Sequence, residues 1–210
     1  NMSYEELRVV IVVYVSALLP IYILFFRMKD HPLQKWLKSI YVFSFLTCAL
    51  SWELWFTYGW VNGDSVSNRR SDFLNTMIPQ DINWILNSMA DAGTISIGGI
   101  ILIWLIFKKQ SHFFESWNWK YFTALLIFTL SQNILVELFL YFDQLSIGKQ
   151  ISWAPFSPLG NYLNPLLYSY SDRSIMLQTQ IPWLIMTPLL YGYAVLSYKR
   201  LYKEKSKLKI

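Results

Sequence analysis

Apolar residues fall in five long runs, at 9–26, 40–61, 82–107, 121–142 and 181–198, separated by more polar stretches. Each run holds about 18–26 residues, which matches the roughly 20 that a helix needs to cross the hydrocarbon core of a bilayer. Inside lipid a backbone satisfies its own polar groups only as a helix or a closed barrel. The pattern therefore predicts an all-α, polytopic membrane helical bundle: one domain over 1–210 with five transmembrane helices. Pro20 and Pro188 fall within the first and fifth runs and are expected to kink them. The stretch 143–180 is rich in Pro, Gly, Asn and aromatics and carries only about ten apolar residues in a row, too few to cross. It is expected to form a re-entrant or interfacial lid, with an ordinary aromatic-anchored loop and a further helix as the alternatives.

The charges between the runs alternate. Arg27, Lys29, Lys35 and Lys38 follow the first run, Lys108, Lys109 and Lys120 the third, and Lys199, Arg200, Lys203, Lys205, Lys207 and Lys209 the fifth. The other loops hold Glu5, Glu6, Asp64, Asp72, Asp81, Asp143 and Asp172. By the positive-inside rule the N-terminus is expected outside and the C-terminus in the cytoplasm, in a multi-pass protein. The first run is long and ends in a basic cluster, so it reads as a retained helix rather than a cleaved signal peptide. The net charge of +5 is spread over three membrane-flanking loops, which favours contact with membrane lipids over nucleic acid. Cys48 is the single cysteine, and the two histidines, His31 and His112, sit in basic loops. Neither a disulfide nor a cysteine- or histidine-based metal site is expected.

Three acids interrupt the apolar runs: Glu53, Asp91 and Glu137. An ionisable side chain at membrane depth is costly unless it is paired or faces water. Each acid lies on a polar stripe at helical spacing: Glu53 with Thr57 and Trp60, Asp91 with Asn87 and Asn83, and Glu137 with Asn133 and Thr129. Counted along the runs, all three fall in the outer half of the membrane, level with Gln178, Thr179 and Gln180. The common depth predicts one polar cavity facing outward. No lysine or arginine falls within a helix core to neutralise the acids, so some are expected to be held neutral, and a neutral carboxylic acid in an apolar cavity is a proton donor. The competing reading is that acids and amides are hydrogen-bonding glue between helices. Trp52, Trp55, Phe56, Tyr58 and Trp60 surround Glu53, and Trp84 lies beside Asn83 and Asn87. Such rings also collect at membrane interfaces regardless of function, but as cavity walls they suit a lipophilic or cationic ligand. The small residues of the third run, from Ala90 to Gly99, are expected to let that helix pack closely. No nucleophile elbow, phosphate loop or dinucleotide fingerprint is present.

The runs VVYVSALLPIYILFFRMKDHP, SWELWFTYGW and INWILNSMADAGTI, taken in that order, resemble the small integral-membrane terpene cyclases of meroterpenoid and indole-diterpene pathways. The resemblance covers the first half of the chain. It implies a compact helical bundle whose members protonate an epoxide or alkene of a polyprenyl substrate without metal. Glu53, in the Trp52–Glu53 pair, matches the family's proton donor, and Asp91, after Trp84, is a looser match to the acid of the family's following Trp-x-x-x-Asp-like helix. The later stretch SQNILVELFLYFDQLSIGKQISW is similar to a Gln…Ser-x-Gly…Trp pattern that includes Trp153. Departures are an Asn usual before the Trp-Glu pair, where this chain has Ala49, Leu50 and Ser51, and five helices in place of seven. The last helix has no acid, so Glu137 would stand in.

The expectation is then an integral-membrane enzyme of cyclase or isomerase type. It would act by carboxylic-acid protonation on an isoprenoid, with no cofactor. Glu53, Asp91 and Glu137 are the candidate acids, and Trp52, Trp55, Thr57, Trp84, Asn87, Asn133, Trp153 and Gln180 the candidate substrate contacts. The alternatives are a small-molecule binding or transport protein with an outward acidic, aromatic cavity, and a subunit of a larger membrane complex.

Overall fold

The computed structural model describes residues 3–59, 65–108, 113–141, 165–170 and 173–203. Most of them are helical. Helix α1 (Tyr4–Tyr22) continues into a π turn, Ile23–Arg27. Helices α2 (Gln34–Leu50) and α3 (Trp52–Tyr58) follow, then two short helices, α4 (Val66–Arg69) and α5 (Asp72–Met77). Helix α6 (Gln80–Gly93) runs through a π turn, Thr94–Gly98, into α7 (Gly99–Ile106). Helix α8 (Trp119–Leu135) also ends in a π turn, Val136–Tyr141. A hairpin of β1 (Leu166–Tyr170) and β2 (Arg173–Met176) leads into α9 (Leu177–Tyr198), which passes Pro182 and Pro188 without a break. Four helices are long and apolar enough to cross a membrane: Tyr4–Arg27, Gln80–Ile106, Trp119–Leu140 and Leu177–Tyr202.

The second apolar run differs from the single helix predicted for 40–61. It starts earlier, at Gln34, and is bent by 41° where α2 gives way to α3 at Ser51. Two side chains drive the bend: Thr47 Oγ1 donates to the Phe43 carbonyl at 2.8 Å, and Ser51 Oγ donates to the Thr47 carbonyl. A hydroxyl bonded four residues back competes with the helix ladder and bends it. Ser51 itself leaves helical geometry, with φ −118° and ψ −109°. Helix α3 ends at Gly59, whose φ of 66° is the left-handed conformation that glycine adopts freely. Trp60, just beyond it, lies outside the described residues.

The two ends of the bundle are identified by contacts. At one end Tyr202 Oη donates to the Pro32 carbonyl at 2.6 Å, Trp36 packs on Phe114 and Tyr198, and His31 faces Trp104. The loops carrying Arg27, Lys29, Lys35, Lys108 and Arg200 therefore gather at this basic end. At the other end the Ser3–Glu6 capping box starts α1, and Glu6 also accepts from Ser71 Oγ. Tyr14 Oη donates to the Met77 carbonyl, and Tyr58 Oη to Asp81. Helices α4 and α5 thus cap this second end. The larger buried core, around Trp36, Ile40, Ile95, Ile103 and Tyr191, lies between α2, α6, α7 and α9. A smaller one joins Val9, Val13 and Ala17 to Leu74, Ile78 and Leu86. The outward faces are apolar as well, with Ile11, Val15, Leu18, Leu105, Ile127, Ile185 and Leu196 exposed, as lipid contact requires.

Of the predicted lid, 165–170 and 173–180 are described, and they form the hairpin and the first turn of α9 rather than a re-entrant helix. The five residues of β1 are all exposed. An open two-stranded edge does not occur within hydrocarbon, so the hairpin is not a further crossing. The remainder of the predicted lid, including Trp153, lies outside the described residues.

Close packing of the third span has a specific cause. A Cβ on Gly93 would come within 2.1 Å of Pro20 Cγ, and one on Gly99 within 2.4 Å of Leu125 Cδ1. Glycine at these positions lets α6 meet α1 and α7 meet α8. Gly93→Leu is therefore expected to destabilise the protein by about 1–3 kcal/mol through overpacking, read as a lowered Tm in detergent. Gly98→Ala, whose added carbon would meet Phe128 at an ordinary 3.6 Å, should leave Tm nearly unchanged.

Candidate active site

The break at Ser51 leaves the last carbonyls of α2 without their usual helical partners. Each finds a substitute: Ser51 Oγ for Thr47, the Ser51 amide for Cys48 at 3.3 Å, and the Trp84 indole for Ala49 at 2.8 Å. The bend turns α3 so that Trp52 and Glu53, in its first turn, reach the last turn of α6. There the Glu53 and Asp91 carboxyls lie beside each other, close enough to interact electrostatically. Trp52 Nε1 donates to Asp91 Oδ2 at 3.0 Å. Glu53 is 1% exposed and Asp91 partly buried. Two carboxyls held together at a buried site can share a proton between them.

The surroundings of the pair are aromatic on one side and cationic on the other. Trp52 faces Trp183 of α9 with ring centroids 5.8 Å apart. Phe56 is buried, and Trp55 packs partly buried against the larger core. Arg69, buried at the end of α4, donates to the Phe56 carbonyl and lies close enough to attract the Glu53 carboxyl. Arg70 is buried too, and donates to Asn75 Oδ1 at 2.7 Å, to Asn83 Oδ1 at 2.9 Å and to the Ile78 carbonyl. Burial and the neighbouring Arg69 push the Arg70 guanidinium down to about 10. Asn83 in turn points Nδ2 at Thr57 Oγ1, 3.5 Å away. Asn87, buried one turn on, completes the face that leads to Asp91.

Glu137 sits in a second polar cluster. Thr179 Oγ1 and Gln180 Nε2 both donate to its Oε2, at 3.0 and 2.9 Å. Asn133 Nδ2 donates to Gln180 Oε1 and to the Thr179 carbonyl, each at 3.0 Å. One turn further along, Thr129 and Thr187 join their hydroxyls at 2.8 Å. The predicted stripe of Thr129, Asn133 and Glu137 thus meets the polar start of α9. Glu53 and Asp91 come together as a pair, whereas Glu137 is held by amides and hydroxyls between α8 and α9. Trp183, one turn after Thr179 and Gln180, is the side chain that faces Trp52 from this second cluster.

Two features escaped the sequence reading. The absence of basic residues within helix cores suggested acids without cations, yet Arg69 and Arg70 enter from the loop between α3 and α6. Their signal was a misplaced pair of arginines in a loop otherwise marked by acids. The second feature is a row on α2. Tyr41, Ser44 and Cys48 recur at helical spacing, and Cys48 is fully buried within electrostatic range of Asp91 and Glu53. The hydroxyls of Tyr41 and Ser44 are buried without a partner among the described residues, as is Trp183 Nε1. Polar α2 positions one turn apart in an apolar helix were the available signal. Among the described residues, no three His, Cys, Asp or Glu side chains converge as a metal site would need. Compared with known proteins, the chain matches no family model, no curated protein and no solved structure.

Arg70 holds three acceptors, two of them in buried hydrogen bonds. Arg70→Met should leave Asn75, Asn83 and the Ile78 carbonyl short of a donor and cost about 1–3 kcal/mol, seen as a lower Tm and faster proteolysis between α3 and α6. A Tm equal to the parent would mean that the loop is held by other contacts.

Proposed function

We propose that this chain is an integral-membrane enzyme that protonates a lipophilic substrate of isoprenoid type, using Glu53 as general acid and Asp91 as its paired carboxylate. The observation that carries the proposal is the meeting of two carboxyls from different helices beside the Trp52 and Trp183 rings, approached by one guanidinium. In this reading the Glu53 proton passes to an epoxide oxygen or an alkene carbon of the substrate. Positive charge then develops on the substrate carbon skeleton, and negative charge remains on the carboxyl pair. Arg69 stabilises that negative charge at Glu53, and the Trp52 N–H does so at Asp91; both are in place before the reaction, which is what electrostatic catalysis requires. The faces of Trp52 and Trp183 are suited to a carbocation. Loss of a proton from the product cation returns the hydrogen to the pair, so the cycle balances as cyclisation or isomerisation. Trp55, Thr57, Asn87, Asn133, Gln180 and Glu137 are the further groups proposed to shape the substrate's binding. Trp84 is proposed to act mainly by holding the Ser51 break.

The same proposal includes the topology: five crossings, with the bent α2–α3 pair as one, the N-terminus outside and the basic end in the cytoplasm. The gathering of basic loops at one end supports it.

Glu53→Gln is nearly isosteric and keeps a hydrogen-bonding group beside Asp91. Turnover of plain or epoxidised polyprenyl substrates, followed by product mass spectrometry, should fall about 10²–10⁴-fold while binding persists. Loss of binding instead would favour a binding or transport protein with Glu53 as counter-charge. Undiminished turnover would rule out the acid assignment.

A further inference from the structure

Away from the carboxyl pair, at the basic end, α2 and α9 part to leave a half-open cavity of about 460 Å³. Lys35 and Ser39 line it from α2, and Tyr193, Ser197 and Arg200 from α9 and its continuation. Ser39 Oγ and Tyr193 Oη lie 2.6 Å apart. A pair of hydroxyls uses only one of its two protons internally, so the other remains for an outside acceptor. The Tyr193 ring is fixed by stacking on Phe43, with centroids 4.1 Å apart and planes 5° from parallel. Lys35 and Arg200 are exposed and have no ion-pair partner among the described residues. Two free cations and a fixed hydroxyl donor around one cavity are the chemistry of a phosphate site.

What surrounds the cavity identifies the rest of the ligand. The helical row that carries Lys35 and Ser39 continues to Val42 and Leu46, both half exposed. On α9, Leu196 at the cavity and Leu189 two turns further are exposed as well. A pocket that carries two cations and hydroxyls on a largely apolar lining, and that opens along two apolar helix faces, fits an amphiphile. A free anion would leave the apolar part unused. We propose that this cavity binds the phosphate headgroup of an anionic glycerophospholipid, with its acyl chains lying along Val42, Leu46 and Leu189. The site is separate from Glu53 and does not depend on the reaction proposed there.

The test uses the full chain in neutral detergent. Phosphatidylglycerol should raise Tm more than phosphatidylcholine does, and native mass spectrometry should show one lipid retained per chain. The Lys35→Gln/Arg200→Gln variant should bind phosphatidylglycerol about tenfold more weakly or worse. The control Lys29→Gln/Lys120→Gln, which alters equal charge at the same end, should bind like the parent. Equal losses in both variants would reduce the effect to general attraction and overturn the site. Inorganic phosphate or glycerol phosphate giving the full shift would overturn the lipid as occupant, and no preference for phosphatidylglycerol in the parent would overturn the proposal.

Discussion

A helix that breaks leaves carbonyls without their helical partners, and the protein must supply others. The rest of this structure follows from how that demand is met at Ser51. The chain breaks a helix there, one turn from a buried acid, and supplies a serine hydroxyl, a backbone amide and an indole N–H to the freed carbonyls. The bend that results is what aims Trp52 and Glu53 at Asp91. An unbroken α2 would carry Glu53 along a different axis, and the carboxyl pair would not form. Trp84 links the two ends of this arrangement, since it starts from the same helix that carries Asp91.

Around the break, the capped end of the bundle solves a second problem, that of placing charge near buried acids. Arg69 and Arg70 are brought in by a short loop helix rather than by a span, and their donors go mostly to carbonyl and amide oxygens. Such contacts hold a guanidinium in place. Arg69 is thereby kept close to Glu53 as an attracting charge, while Arg70 ties the loop to α6. The loop is both a plug over the site and part of its electrostatics. At the opposite end Lys35 and Arg200 are exposed around the α2–α9 cavity and have no ion-pair partner among the described residues, which is the arrangement expected where a protein meets lipid headgroups. The two ends therefore use arginine differently: one buries it in the loop, the other leaves it exposed.

The five apolar runs and the stripes within them were legible in the chain, because a membrane span requires a length and a polarity that composition alone displays. The residues facing inward were legible too: Asn83, Asn87 and Asp91 share one face, and Thr129, Asn133 and Glu137 another, as helical spacing dictates. The alternation of basic and acidic loops matches the gathering of basic loops at one end. What spacing alone does not give is where a helix stops being straight. The run 40–61 contains no proline or glycine before Gly59, and its break comes from two hydroxyls that turn on their own backbone.

The sequence by itself determined that this is a mostly helical chain with helices long and apolar enough to cross a membrane, and which faces of them carry the polar stripes, since periodicity and hydropathy are local properties. Only the tertiary structure decided which acids meet. Glu53 and Asp91 are 38 positions apart and pair because Ser51 bends one helix toward another, while Glu137 is drawn into a separate set of hydroxyls and amides by the start of α9. It also decided that Arg69, from a loop, lies near Glu53, because long-range placement depends on how helices pack and not on the order of residues within any one of them.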